Sequence, residues 1–331
     1  ITSAYEPYVF AVVRKVLSDV GYSSEGVTMD TFVHRQSPDI AEAVNASKER
    51  RGGVSDNQID WFQGAGDQGV MIGYACDETK QLMPMPVVLA NRIVRELSAC
   101  RQSSYIQGIL PDGKAQVTVE YENGKPVRLD SVVVSCQHKE EKDLKKLEAE
   151  IRKKVLLPAL RPLPPDEETK IYINPSGRFV CGGLDADTGL TGRKLMVDSY
   201  GSMVPHGGGA FAGKDCSKVD RSAAYMARYI AKNIVAAGLA SKCQVSLAYA
   251  IGVAQPVMVQ VDTFGTGNVC ADDCLELAIP LVFGLTPKQI VDTLRLTRPI
   301  FRQTAAFGHF GRKEFPWEHT DKAEALRNAV I

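Results

Sequence analysis

Residues 116–134 read QVTVEYENGKPVRLDSVVV, and this stretch decides the fold class. β-branched and aromatic residues alternate with polar ones, or run together, on either side of Asn123-Gly124. Because Asn-Gly accepts the positive backbone φ angles of a two-residue turn, it is a strong signal for a β-hairpin. We therefore predict two antiparallel strands, Gln116–Tyr121 and Val127–Val134.

The rest of the chain alternates between helical and strand patterns. Helical spacing of apolar residues predicts helices at Pro7–Val20 with a stop at Gly21, Lys139–Val155, Asp220–Ala240, Leu275–Phe283 and Pro287–Leu296. Strands are predicted at Lys170–Asn174 and at Gln244–Phe264, where Pro256 marks an edge or a bulge, and a polar tail follows the last helix. Helices mixed with hairpins favour an α+β protein over a regular parallel βαβ array.

Composition argues against several classes of protein. Lys plus Arg and Asp plus Glu number 39 each, so the formal charge is zero and a general nucleic-acid role is disfavoured. No stretch approaches the ~20 apolar residues that cross a bilayer, and the first residues lack the pattern of a signal peptide. The eight cysteines are dispersed without a Cys-x-x-Cys pair, which is typical of reduced thiols. We predict a cytoplasmic protein whose partners include neither nucleic acid nor a membrane.

Four glycine-rich segments combine backbone freedom with nearby cations. Glycine lets backbone amides approach a phosphate closely, and Lys or Arg supplies the opposite charge. Together the segments predict a polyphosphate ligand, with Lys114 in Pro111-Asp-Gly-Lys114 as a further candidate. The four are Gly64-Ala-Gly-Asp-Gln-Gly69, Gly182-Gly183 continuing to Gly189-Leu-Thr-Gly-Arg-Lys194, His206-Gly-Gly-Gly-Ala-Phe211 and Gly213-Lys-Asp215.

Spacing alone leaves another interpretation open, because glycine runs form turns more often than ligand sites. The segment Gly189–Lys194 lacks the gap and the Lys-Ser/Thr ending of a phosphate-binding loop, and the dinucleotide-binding pattern is absent. A cation beside glycine recurs, however, at Arg193-Lys194, Lys214 and Lys218. This repetition favours the polyphosphate interpretation.

In several longer motifs the chain resembles the S-adenosylmethionine synthetase family. Two hallmark sequences and four shorter motifs occur in the family's order and span almost the whole chain. They are Gly64-Ala-Gly-Asp-Gln-Gly69, Gly207-Gly-Gly-Ala-Phe-Ala-Gly-Lys-Asp215 with Ser217-Lys-Val-Asp-Arg-Ser-Ala-Ala-Tyr225, Gln36-Ser-Pro-Asp-Ile40, Asn174-Pro-Ser-Gly-Arg-Phe179, Gly189-Leu-Thr-Gly-Arg-Lys194 and Gly308-His-Phe-Gly311.

The resemblance implies an α+β fold of three similar domains around a pseudo-threefold axis. The expected limits are 1–45 for the remainder of the N-terminal domain, 46–63 for a flexible active-site loop, 64–180 for the central domain and 181–331 for the C-terminal domain, with segments exchanged between domains. It also implies a homodimer with active sites at the subunit interface, which in many members pairs into a tetramer. ATP and L-methionine are the implied substrates, and Mg²⁺ and K⁺ the implied cofactors.

The resemblance further implies a reaction and a role for individual positions. The methionine sulfur attacks C5′ of ATP in line, giving S-adenosylmethionine and tripolyphosphate, which is hydrolysed to phosphate and pyrophosphate. The implied methionine-binding residues are Gln36, Asp187 and Lys218. The implied ATP-binding residues are Asp112, Lys114, Ser176, Arg178, Phe179, Asp187, Arg193, Lys194, Ala210, Lys214 and Lys218. The implied catalytic residues are Asp67, Lys114, Asp187, Arg193, Lys194, Lys214 and Lys218, and the implied magnesium ligand is Asp220.

These residue types suit the chemistry. A neutral thioether needs no general base, so the lack of a catalytic Cys-His or Ser-His pair is expected. Positive charge develops on sulfur, where the carboxylate of Asp67 is favourable. Negative charge develops on the departing triphosphate, where Mg²⁺ and the cations Arg193, Lys194 and Lys214 are favourable.

Structural interpretations of single residues stay open beside the functional ones. Asp187 is also compatible with a turn, Phe179 with the core and Asp220 with a helix cap. His206 and His309 are candidates for acid–base chemistry as well as for structural roles.

The front of the chain departs from the family pattern. The family's His-Pro-Asp-Lys motif, with its ATP-contacting histidine and magnesium-binding aspartate, is absent, and we expect further residues upstream of Ile1. Two alternatives to the enzyme are a non-catalytic substrate-binding or regulatory subunit of the same family and an unrelated ATP-dependent phosphotransferase. The persistence of Asp67, Asp187 and the cations favours the enzyme.

Overall fold

The computed structural model describes residues 8–53 and 63–330 of the 331-residue chain. Residues 54–62, half of the predicted active-site loop, lie outside these ranges. The strands are β1 (Gly69–Cys76), β2 (Ile109–Glu122), β3 (Lys125–His138), β4 (Lys170–Ile173), β5 (Lys242–Tyr249) and β6 (Met258–Asp262). The α-helices are α1 (Val9–Val20), α2 (Pro38–Asn45), α3 (Lys48–Arg51), α4 (Met85–Gln102), α5 (Leu144–Ile151), α6 (Leu157–Ala159), α7 (Leu195–Asp198), α8 (Val219–Ala236), α9 (Asp272–Val282), α10 (Pro287–Thr293) and α11 (Ala323–Val330).

These elements form two compact units. The first contains the described residues of 1–37 together with 85–189, and the second contains those of 38–84 together with 190–331. Each unit has its own three-stranded sheet, ordered β2-β3-β4 in the first and β1-β5-β6 in the second. The mixture of helices with antiparallel and mixed sheets confirms the predicted α+β class.

The hairpin predicted from Asn123-Gly124 is the centre of the first unit. Strands β2 and β3 pair antiparallel from Glu122↔Lys125 outward, and β4 joins β3 in parallel. Asn123 and Gly124 have φ angles of 49° and 74°, the left-handed conformation that a two-residue hairpin turn requires. The turn sets where the register begins, the register shifts at three points along the pair, and β2 carries Asp112 and Lys114 near its start.

Helices cover one face of this first sheet. Apolar residues of α4, among them Leu89 and Ile93, are completely buried against β2 and β3. The predicted helix Lys139–Val155 begins at Leu144, where Asp143 accepts a hydrogen bond from the amide of Lys146. It continues as a π-helical turn, Arg152–Leu156.

Helix α8 is the centre of the second unit. Sixteen of its 18 residues are buried, because sheet strands cover one side and the C-terminal segment covers another. The helix lies directly on β1: a Cβ atom added to Gly73 would lie 2.0 Å from the carbonyl carbon of Ala227. This contact fixes the height of α8 above the sheet.

Two predictions for the second unit are wrong. The stretch Gln244–Phe264 is not one strand but two, β5 and β6, which pair antiparallel across a turn that contains Pro256. The predicted polar tail belongs to the core, since Phe315 and Trp317 are completely buried and α11 follows them.

Within the described residues, no single helix is both long and apolar enough to span a bilayer. Helices α9 and α10, which meet at an angle of 75°, reach that length and apolar composition only when they are taken together.

Candidate active site

The N-terminus of α8 is the centre of the candidate site in the second unit. Lys218 is the N-cap residue and makes no side-chain capping bond, while Asp220 is the second residue of the helix. The carboxylate of Asp220 accepts a hydrogen bond from Lys214 Nζ at 2.5 Å, and both side chains are largely shielded from solvent. The interpretation of Asp220 as the helix cap is therefore wrong.

Two glycine-rich segments meet at this helix end. A Cβ atom added to Gly209 would lie 2.0 Å from Asp220 Oδ1, so the loop passes the carboxylate at a distance that only glycine allows. A Cβ atom added to Gly192 would lie 2.6 Å from Cβ of Ala210. The segments Gly189–Lys194 and Gly207–Asp215 are thus in contact, and Arg193 and Lys194 lie next to the loop that carries Lys214.

The segment Gly64–Gly69 approaches the same helix end. A Cβ atom added to Gly66 would lie 3.8 Å from Lys218 Cδ, and one added to Gly69 would lie 3.9 Å from Asp220 Oδ1. Asp67 between them is exposed, and its Oδ1 accepts the amide hydrogen of Gln68 at 2.8 Å. The structure therefore brings together the three segments that hold Asp67, Lys194 and Lys214.

The charges at this point suit an anion. A helix N-terminus carries partial positive charge and free amide groups, and Lys214 and Lys218 flank it here. Lys218 Nζ is 3.2 Å from Ser217 Oγ and 3.6 Å from Asp215 Oδ2, at the rim of the site. Lys194 is exposed and forms no side-chain hydrogen bond or ion pair with any described residue. Cations beside glycine loops at a helix N-terminus are suited to binding a polyphosphate.

In the first unit, Asp112 is held by two donors. Its Oδ1 accepts from the hydroxyl of Tyr22 at 2.6 Å, and its Oδ2 accepts from the amide of Gly183 at 2.8 Å. Burial raises the pKa of Tyr22, and the bond to Asp112 raises it further. No sequence motif points to Tyr22, which lies 90 positions before Asp112.

The segment predicted to surround the adenine also lies in the first unit. The backbone of Phe179 forms two hydrogen bonds with His138. The amide of Phe179 donates to Nε2 of His138 at 3.0 Å, and the carbonyl of Phe179 accepts from the amide of His138 at 2.9 Å. The Phe179 ring is half-buried. Arg178 and Ser176 are exposed, and Arg178 forms an ion pair of 2.7 Å with Glu140.

Three further predicted residues of the first unit are exposed. Lys114 lies on β2, opposite Ser135, and Gln36 precedes α2. Asp187 follows a short 3₁₀ turn, and its Oδ1 accepts the amide hydrogen of the adjacent Thr188 at 2.7 Å, which is a local turn contact.

Comparison with known proteins places these motifs. Residues 62–179 match the central domain of S-adenosylmethionine synthetase, and residues 181–319 match its C-terminal domain. The chain belongs to the S-adenosylmethionine synthetase family. It is 52% identical to the S-adenosylmethionine synthase of Desulforudis audaxviator (strain MP104C) over 327 residues, which cover 96% of this chain and 82% of the relative. The family and the enzyme class predicted from the motifs, methionine adenosyltransferase, are confirmed.

The two histidines of this synthetase that were candidates for acid–base chemistry differ in setting. His206 Nδ1 accepts the amide hydrogen of Gly208 at 2.8 Å, which leaves the proton on Nε2. Burial lowers the pKa of His206, and nearby Asp220 opposes that shift. Burial lowers the pKa of His309 to about 3, and the positive charges of Arg221 and Arg312 contribute to this shift. His309 is therefore neutral at physiological pH and its surroundings are those of a core residue.

The described residues contain no group of three or more His, Cys, Asp or Glu side chains that could hold a metal ion. Asp220 fits a metal only as one oxygen ligand beside an anion site. This suits Mg²⁺, which commonly takes one or two protein carboxylates and completes its coordination with substrate phosphates and water.

Proposed function

We propose that this chain joins ATP and L-methionine to form S-adenosylmethionine, with hydrolysis of the tripolyphosphate to phosphate and pyrophosphate. The observation that carries the proposal is the meeting of three glycine-rich segments and the Lys214–Asp220 pair at the N-terminus of α8. Family membership supports the same reaction.

The residues of the second unit act on the triphosphate and on sulfur. A bond forms between the methionine sulfur and C5′ while the bond from C5′ to the triphosphate oxygen breaks, and water later cleaves the tripolyphosphate. Lys214, Lys194 and Arg193 stabilise the negative charge of the departing group, with Ala210 beside them. Asp67 stabilises the positive charge on sulfur, and Lys218 contacts both substrates.

The remaining predicted residues hold the substrates. Asp112 and Lys114 contact ATP, and Ser176, Arg178 and Phe179 surround the adenine, on which the Phe179 ring can stack. Asp187 contacts ATP and methionine, and Gln36 contacts methionine. The resemblance of their local motifs to the family supports these roles.

Asp220 is the protein ligand proposed for Mg²⁺, because its carboxylate lies beside Lys214 where phosphate oxygens would complete the coordination. When bound, the ion would offset the charge of the triphosphate. The proposal of K⁺ rests on the family resemblance.

Assembly and location complete the proposal. We expect a homodimer, with a tetramer as the alternative. We also expect domain limits at 1–45, 46–63, 64–180 and 181–331. The family resemblance supports the assembly and the domain limits. The eight cysteines are free thiols, which supports a cytoplasmic location.

The test is formation of S-adenosylmethionine from ATP and L-methionine with Mg²⁺ and K⁺. Lys214→Met is expected to lower turnover about 10²- to 10³-fold, because it removes a cation aimed at the departing group. Lys288→Met is the control, since Lys288 lies on α10 in an exposed ion pair with Asp292. Near-normal turnover in Lys214→Met with unchanged circular dichroism would refute the role of Lys214. ATP binding without any sulfonium product, both from this chain and from a version extended upstream of Ile1, would refute the reaction.

A further inference from the structure

Arg221, in the first turn of α8, is a buried cation without a carboxylate partner among the described residues. It is 4% exposed. Arg228, two turns later on the same helix, is the contrasting case: it is completely buried and forms an ion pair with Glu318 at 2.8 Å. A buried guanidinium without an opposite charge is costly, so its retention needs a reason.

Three hydrogen bonds and a ring hold Arg221 in place. Nη1 donates to the backbone carbonyl of Lys214 at 2.5 Å, Nη2 donates to Thr304 Oγ1 at 2.9 Å, and Nε donates to the hydroxyl of Tyr225 at 3.1 Å. The guanidinium carbon also lies 3.7 Å from the centre of the Phe301 ring. All these partners are neutral, so they fix the guanidinium without cancelling its charge.

The bond to Lys214 connects Arg221 with the candidate site. Arg221 holds the backbone of Lys214, while the ammonium group of the same residue reaches Asp220. Because the loop Gly207–Asp215 is rich in glycine, its backbone has little stiffness of its own. A fixed carbonyl at Lys214 therefore restricts where that ammonium group can lie.

We propose that Arg221 is a positioning residue that fixes Lys214 for a polyphosphate anion and adds an uncancelled positive charge behind it. The proposal rests on the function proposed above and deepens it. Residues 301–304 belong to the same device, since Phe301 and Thr304 hold the far side of the guanidinium.

The test is a double-mutant cycle of Arg221→Met and Lys214→Met. Two quantities are measured for each variant: the affinity for inorganic tripolyphosphate, by calorimetry, and kcat/KM for ATP. Arg221→Met alone is expected to weaken tripolyphosphate binding and to lower kcat/KM about 10- to 100-fold, the range for losing hydrogen bonds from a charged group. In the Lys214→Met background the same change is expected to cost less than about threefold, because its main target is gone.

Thermal unfolding is followed for each variant, and Thr304→Val serves as a milder second variant. It removes only the acceptor of Nη2, so we expect a reduction of about three- to tenfold in tripolyphosphate affinity, again diminished in the Lys214→Met background. If Arg221→Met does not fold, the cycle with Thr304→Val decides the question.

A merely structural role predicts a different pattern. Loss of thermal stability with unchanged tripolyphosphate affinity, or equal fold-changes in both backgrounds, would overturn the proposal. Failure of the proposed function has its own signature, which is absence of S-adenosylmethionine both from the unsubstituted chain and from a version extended upstream of Ile1. The tripolyphosphate titrations would then still decide the role of Arg221.

Discussion

Replacing Glu318 by Gln tests whether the C-terminal segment is fixed to α8 by buried charge. The side chain of Glu318 is completely buried and its carboxylate accepts four hydrogen bonds. Two come from Arg228 at 2.8 and 3.0 Å, one from Lys232 at 2.8 Å and one from the amide of Gly311 at 2.8 Å. Arg228 in turn donates to the backbone carbonyls of residues 74, 81 and 82. The side chain of Arg228 therefore joins α8 to strand β1 and to the segment that carries Trp317.

The expected loss follows from the charge left behind. Glutamine has nearly the same shape, but its amide nitrogen would face donors, and Arg228 and Lys232 would lose their buried counter-charge. Removing one partner of a buried ion pair costs about 3–5 kcal/mol. At roughly 2 °C per kcal/mol for a chain of this size, the midpoint of thermal unfolding should fall by about 6–10 °C.

The assay is thermal unfolding at fixed protein concentration, since oligomer formation makes Tm depend on concentration. Asp292→Asn is the matched control, because Asp292 pairs with Lys288 on the surface of α10, where such a pair contributes only a few tenths of a kcal/mol. The pH dependence adds a second readout. Burial opposes ionisation of Glu318, but Arg228 and Lys232 outweigh it, so the pKa lies below its ordinary value.

A lowered pKa in the folded state means that this stabilisation is complete above the unfolded pKa of about 4.3 and is lost as the pH falls through the folded pKa. The Tm difference between the unsubstituted chain and Glu318→Gln should therefore be constant near neutrality and shrink in acid. A decrease no larger than that of Asp292→Asn, or a difference independent of pH down to acid unfolding, would refute the reasoning.

Three further predictions concern single contacts. Gly209→Ala should lower turnover at least tenfold, because its Cβ would meet Asp220 Oδ1 at 2.0 Å. The measurement is a Mg²⁺ titration of activity, with thermal unfolding of the variant as the check that its fold is retained; near-normal turnover would contradict the close approach to Asp220. His309 has a folded pKa of about 3, below the unfolded value of about 6.5, so the unfolded chain binds an extra proton between these values. Stability should therefore fall as the pH is lowered through that range. His309→Gln should flatten this part of the Tm profile, and an unchanged slope would argue against it. Tyr22→Phe removes the 2.6 Å hydrogen bond to Asp112. Because such a bond contributes about 1 kcal/mol, the KM for ATP should rise about fivefold. An unaltered KM would count against a role for Asp112 in nucleotide binding.

The hairpin and the long helices could be predicted because their signals are local. Asn123-Gly124 needs nothing beyond its own backbone preference to form the turn. Gly21 ends α1 in the left-handed conformation that its pattern predicts, with its amide bonded to carbonyls of the last turn. Local propensity and final structure agree at such points.

The C-terminal segment could not be predicted in this way. Residues 297–319 show little apolar periodicity, and a glutamate in a polar stretch is normally exposed. Glu318 is buried because Arg228 and Lys232, on a helix 86 to 90 positions earlier, present charges that need a partner. A contact over that separation leaves no sign in the local pattern.

The candidate site shows the same division. The glycine-rich motifs were predicted to share a ligand, and those of the second unit do meet at α8. The roles of single residues remain predictions. Tyr22 and Arg221 could not be predicted, because a tyrosine outside any motif and an arginine in a helix carry no signal until their partners are known.

The face of α8 that carries Arg221, Tyr225, Arg228 and Lys232 gives these observations a common cause. Their spacing of four, three and four residues places them on one side of the helix, which lies against residues 301–319. Toward the C-terminal end of the helix, Glu318 supplies the opposite charge and fixes the segment. Toward the N-terminal end, Arg221 donates only to neutral acceptors among the described residues, while Lys214 beside it pairs with Asp220. A rigid helix that neutralises Arg228 and Lys232 at one end and holds Arg221 on neutral groups at the other is preorganised to receive an anion, which is what transfer from a triphosphate requires.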